Sequence, residues 1–210
     1  MNTGVKALRN QPTGIPLAFA GGLAAIIAYL VSTTAAWLLY PGSFTPFKNW
    51  LSDLGNPVRN PSGAIWYNTG CVLTALGLLL FILGLSRWRS AGSTQNGLIW
   101  TSQVTGLASV VSLALIGLYS ENDLPRHMLY SNWFFACFPL FIGLFSTGLI
   151  NHRNGSKRIG LAGLGVVVVG FWFHLVFPGS RPLEWVTELA FLIYVGMVAW
   201  NSGAERPVEP

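Results

Sequence analysis

The residues able to do chemistry are few, and they keep company. The chain has three histidines and seven acids. Glu188 lies inside an apolar run, with Glu184 one helical turn before it and Thr187 on the same face. His127 opens another apolar run, with Asp123 on the turn before it and Ser131 one turn after it. His174 lies three residues before the end of a third run. Ser52 and Asp53 sit in a polar, aromatic stretch, TPFKNWLSDLGNPVRNPSG, at residues 45–63. Arg59, Arg126 and Arg181 stand near these groups in the chain as counter-ions.

Three chemistries fit such a set. His127, His174 and Glu188 form a candidate zinc set, since two imidazoles and a carboxylate leave one open position to activate water. No HExxH or HxxxH spacing supports it, so the ligands would come from separate segments. A His–carboxylate pair can act as acid and base near neutral pH, with Ser52 or Ser131 as nucleophile. That makes His127, Glu188, Asp53 and Ser52 the catalytic candidates, although no GxSxG motif occurs. Alternatively Asp53, Asp123, Arg126, His127, His174, Arg181, Glu184 and Glu188 line a site for a polar head group or small solute. Each residue also has a plainer reading. Glu184 suits a helix start, His127 a helix end, and His174 an aromatic packing site. Glu188 is the sharpest signal, because a carboxylate inside a membrane span costs a few kcal/mol unless it is protonated, paired or wet.

The elements that must position these groups follow from composition. The 210 residues are 52% hydrophobic and 9% charged, against about 25% charged in soluble domains. About 20 apolar residues carry a helix across a bilayer. Six runs qualify, at about 15–40, 65–85, 97–119, 127–150, 159–177 and 183–200. The expected fold is all-α: a polytopic membrane protein with six transmembrane helices, between polar tails at 1–14 and 201–210. The first run has 26 residues (15 to 40), too long for the apolar core of a signal peptide. Its Gly21, Gly22, Ala24 and Ala25 allow close helix approach. Ser102, Thr105, Ser109 and Ser112 share one face of the third run, directed at other helices. Cys71 and Cys137 have no CxxC partner and read as packing residues.

Between the first two runs, Thr45 and Pro46 suit a helix start. Phe47, Trp50, Leu51 and Leu54 then recur at i, i+3, i+4 and i+7. This predicts one short amphipathic helix lying in the outer interface, stopped at Gly55-Asn56-Pro57.

The net charge of +5 does not indicate nucleic acid, because the basic residues sit in short loops where they orient the chain. Lys6, Arg9, Arg87, Arg89, Arg153, Lys157, Arg158 and Arg206 fall on the side of both termini, eight in all; Lys48, Arg59, Arg126 and Arg181, four, fall on the other. The positive-inside rule then puts both termini in the cytoplasm of a cell-membrane protein. Asp53, Glu121, Asp123, Glu184 and Glu188, five of the seven acids, fall at the outer level.

With NWLSDLGNP, its Pro/Asn turn and the following IWYNTGCVLTALGLLL span, the chain resembles a prokaryotic six-span membrane family, domain of unknown function 998. Ser52, Asp53, Leu54, Gly55, Asn68 and Gly70 carry the match, and His127 and Glu188 fit it too. The resemblance implies a fold and no activity. The expected function is an integral membrane protein that binds a lipid head group or small solute at an outward pocket. The alternatives are a membrane-embedded hydrolase, metal-dependent if the zinc set forms, and an accessory subunit. The expected partner is the bilayer, with no nucleic acid.

Overall fold

The structure is a computed structural model, and it describes residues 15–89, 93–152, 155–171, 175–177 and 179–204. Among them there is no strand. Six helices follow one another: α1 Leu17–Leu38, α2 Ala64–Gly84, α3 Ser93–Leu118, α4 Leu124–Asn151, α5 Lys157–Phe171 and α6 Arg181–Ala204. All but α5 are long and apolar enough to cross a membrane. At 15 residues the described part of α5 is shorter than the others. The architecture is that of a polytopic helical membrane protein.

Each helix packs on its neighbours in the chain, and α6 returns to α1, so the six close into a ring. Short connections from α2 onward keep successive helices adjacent, as in other bundles, while the longer 39–63 segment joins α1 to α2. Lipid tails supply no hydrophobic drive between helices, so close packing must. The α1–α2 seam shows how. A Cβ on Gly84 would stand 2.2 Å from the Ala18 backbone nitrogen, and one on Gly21 would stand 2.3 Å from that of Phe81. Only hydrogen fits at either place. Of the small residues singled out in α1, Gly21 and Ala25 are buried in this seam, Gly22 is buried against Ala199 of α6, and Ala24 faces outward.

Phe134, Phe138, Phe141 and Phe145 of α4 fill the centre with Phe81 and Phe191. Ser102, Ser109 and Ser112 are buried as expected, but their hydroxyls bond back to their own helix, at the carbonyls of Ile99, Gly106 and Ala108. The bonds between helices come from elsewhere. Gln103 donates to the Ile82 carbonyl at 2.7 Å, and Ser146 meets the Tyr194 hydroxyl at 2.8 Å.

The connection from α1 to α2 differs from the expected amphipathic helix. Residues 46–48 form a turn closed by the Thr45 carbonyl, which accepts from Lys48 and Asn49 at 3.1 and 2.9 Å. Trp50 is extended, and a 3-10 helix then runs Leu51–Gly55. The expected apolar face is therefore split: Phe47 is 81% exposed, whereas Leu51 and Leu54 are buried in the bundle core. The cause is local. Asp53 accepts the Trp50 N–H at 3.1 Å, which starts a new turn at Leu51 rather than continuing one begun at Pro46.

Candidate functional site

The connections α1–α2, α3–α4 and α5–α6 all fall at one end of the ring. There the 39–63 segment is stitched down over the mouth. Asn60 is fully buried; its amide donates to the carbonyls of Ala36 and Leu54 at 3.0 and 2.9 Å, and its oxygen accepts the Gly63 N–H at 3.1 Å. Asn68 of α2 donates to the Gly55 carbonyl at 2.9 Å. A Cβ on Gly55 would sit 2.4 Å from the Asn68 amide oxygen, so glycine is required for this approach. From α6, Glu184 accepts the Leu51 N–H at 2.8 Å, and the Trp185 indole donates to the Asn49 carbonyl at 3.3 Å.

A polar network joins this segment to the α3–α4 turn. Arg59 pairs with Asp53 and lies 3.6 Å from Glu121. Asn56 donates to Glu121 at 3.0 Å, while its own oxygen accepts the N–H groups of Val58 and Arg59. Burial, above all, holds the Glu121 carboxyl above its ordinary range, and the negative Asp53 beside it pushes the same way; the Asn56 amide and Arg59 oppose. Burial also raises the Tyr40 hydroxyl, with Asp53 contributing.

Two cavities adjoin here and share the wall of Trp50, Glu121 and Leu124. The first, about 480 Å³, is polar and is lined by Lys48, Asp53, Arg59 and Arg181 among others. Among the described residues, neither Lys48 nor Arg181 has a carboxylate within 4.0 Å; the Arg181 guanidinium lies 5.5 Å from the Trp50 ring centre. The second, about 340 Å³, joins Ser52, His127, Ser131, Asn132 and Glu184 to Met128 and Phe135. His127 is 5% exposed, and its Nδ1 lies 3.1 Å from the Tyr119 carbonyl. A carbonyl only accepts, so Nδ1 carries the proton and Nε2 keeps its lone pair.

The expected constellation is thus divided. Ser52, His127 and Glu184 line one cavity; Asp53 and Arg181 line the next. Asp123 and Arg126 pair with each other at 3.0 Å on the exposed rim and line neither. Glu188 is half-buried one turn deeper and faces a separate slot of about 130 Å³ between α1 and α6. His174 lies outside the described residues. Among the described residues no three His, Cys, Asp or Glu side chains are grouped to hold a metal; the expected zinc set of His127, His174 and Glu188 lies partly outside them.

Glu121 and Lys48, expected only at the outer level, and Asn56, Asn60 and Asn132, not expected at the site, are parts of the mouth. The repeated Asn-Pro pairs at 56–57 and 60–61 were the available signal, since Asn side chains bond nearby backbone at turns.

A family model described as a protein of unknown function (DUF998) matches residues 23–203. No curated protein and no solved structure matches the chain.

Proposed function

The chain belongs to the DUF998 family of proteins of unknown function, and we propose that it is a six-span protein of the cell membrane that binds the polar head of an anionic amphiphile at its mouth. The observation that carries this is the pair of adjoining cavities. The polar one offers Lys48 and Arg181, cations without carboxylate partners among the described residues. The other continues it with Leu124, Met128 and Phe135. An anionic head group fits the first by charge, and the start of an acyl chain fits the second by burial of apolar surface. In this reading α5 is the fifth of the six spans. The mouth faces outward and both termini are cytoplasmic, in keeping with eight basic residues on the terminal side against four on the other. The 39–63 segment roofs the mouth from the outer side.

The test is lipid binding in nanodiscs, read by native mass spectrometry. Phosphatidylglycerol is expected to be retained over phosphatidylcholine. The double variant Lys48→Ala/Arg181→Ala is expected to lose at least tenfold in that preference. Equal retention of both lipids by the native protein would overturn the proposal.

Hydrolysis is a second reading, favoured by one observation: a His127 imidazole with a free Nε2 shares a cavity with the Ser52 hydroxyl. Nε2 would take the Ser52 proton as Oγ attacks an ester carbonyl. The leaving alcohol would then receive that proton, and water would release the acyl group in a second, equivalent step. Turnover of a fluorogenic ester that disappears in both Ser52→Ala and His127→Ala would establish it. Activity unchanged in either variant would exclude it.

A further inference from the structure

We propose that the slot between α1 and α6 binds an organic ammonium ion, at a site separate from the mouth. The slot is lined by Tyr29, Leu30, Thr33, Thr34 and Trp37 of α1, Leu51, and Trp185, Glu188 and Leu189 of α6. No basic residue lines it, which excludes an anion. The Glu188 carboxylate makes no hydrogen bond and no ion pair with any described residue. Arg181, the basic residue of the same helix, lines the mouth cavity instead, next to Trp50. A carboxyl at this depth is costly to ionise unless it is paired, and a bound cation would supply the pair.

The remaining walls indicate which cation. Calcium takes six to eight oxygen ligands and magnesium an octahedron of them; the side chains of the slot offer one carboxyl, two threonine hydroxyls and the Tyr29 hydroxyl. Three aromatic side chains beside a carboxylate are instead the chemistry that recognises alkylammonium groups. Thr33 adds a buried hydroxyl, 9% exposed and beside the Tyr29 hydroxyl, which can accept an ammonium N–H. At about 130 Å³ the slot is small beside the ~300–1,000 Å³ of drug-sized sites, so it takes a head of a few heavy atoms. Leu30, Trp37 and Leu189 are 48%, 43% and 50% exposed on the outer wall of the ring. Such a head can therefore arrive on a lipid or as a free ion.

The experiment uses the full chain in nanodiscs of phosphatidylglycerol, a lipid with no ammonium group. Ethylammonium and tetramethylammonium chloride are titrated by saturation-transfer NMR. A second arm compares retention of phosphatidylethanolamine with that of phosphatidylglycerol by native mass spectrometry. Binding in the first arm identifies a site for free ammonium ions; retention in the second alone identifies a lipid amine. In either arm Glu188→Gln is expected to weaken binding at least tenfold. Thr33→Val keeps the side-chain shape and covers the case in which Glu188→Gln does not fold. It is expected to weaken ethylammonium or the lipid amine severalfold and to leave tetramethylammonium, which has no N–H, unchanged. Absence of binding in both arms, or binding indifferent to Glu188→Gln in a folded variant, would overturn the proposal.

Discussion

Asn60 is the residue on which the roof over the mouth most depends, and its replacement by alanine gives a sharp test. The side chain is fully buried and makes three bonds to backbone: to Ala36 in α1, to Leu54 in the 3-10 helix and to Gly63 at the start of α2. A single intramolecular hydrogen bond contributes about 1 kcal/mol net, and a buried group left without a partner costs about 1–3 kcal/mol. Asn60→Ala removes all three bonds and strands two carbonyls and one N–H. The expected loss is therefore about 3 kcal/mol at the least and about twice that if no water enters. Asn60→Asp keeps the acceptor for Gly63 but turns a carboxylate toward two carbonyls, so it is expected to be no milder. Unfolding of the purified protein by SDS in mixed micelles, followed by tryptophan fluorescence, measures the difference. Val58→Ala is the control: Val58 is 80% exposed, and surface changes stay within about 0.5 kcal/mol. A loss below about 1 kcal/mol for Asn60→Ala would refute the view that this side chain pins the 39–63 segment.

Four further outcomes are expected. Gly84→Leu drives a side chain against the Ala18 backbone at the α1–α2 seam; overpacking of this kind costs about 1–3 kcal/mol or more, visible as a lowered melting midpoint and poor recovery from detergent. Ser146→Ala and Tyr194→Phe are expected to couple by about 0.6 kcal/mol in a double-mutant cycle, the usual size for a hydrogen bond between spans, since they share one bond of 2.8 Å. Glu121 binds its proton more tightly in the folded protein than its ordinary value of 4.5. Its contribution to stability is therefore full below that value and lost as pH rises through the raised one. Glu121→Gln should flatten that fall in pH-dependent melting. By the same reasoning, anionic-lipid retention should strengthen on acidification in the native protein, as Glu121 loses its charge, and less so in Glu121→Gln.

Membrane character was legible in the sequence because it is a property of composition and run length. A chain with 9% charged residues must keep its polar backbone satisfied inside helices when it lies in lipid. Runs such as 64–84 and 124–151 therefore become helices whatever their neighbours do. The serines of α3 were legible as inward-facing by helical period, and the glycines of α1 as packing residues by their size. The family was legible from residues 49–57 because that short segment meets several tertiary demands at once. Glu184, Asn60 and Asn68 each hold part of it or its flanks.

What the tertiary structure decided is which polar groups meet. Periodicity in residues 47–54 pointed to one helix, but Asp53 and Glu184 compete for the backbone N–H groups of Trp50 and Leu51, and the chain breaks into a turn and a 3-10 helix. The packing of α6 set Glu184 and Glu188, one turn apart on the same face, at different depths and so against different cavities. It set Lys48 and Arg181 together across 133 residues of chain, while Asp123 and Arg126 were left to pair with each other on the rim. The sequence alone determined which segments are long and apolar enough to be spanning helices, since that depends on each segment's own transfer energy. Azimuth around the ring depends on the packing of six helices at once, through contacts such as Gly21 on Phe81 and Gly84 on Ala18; only the folded structure decides it.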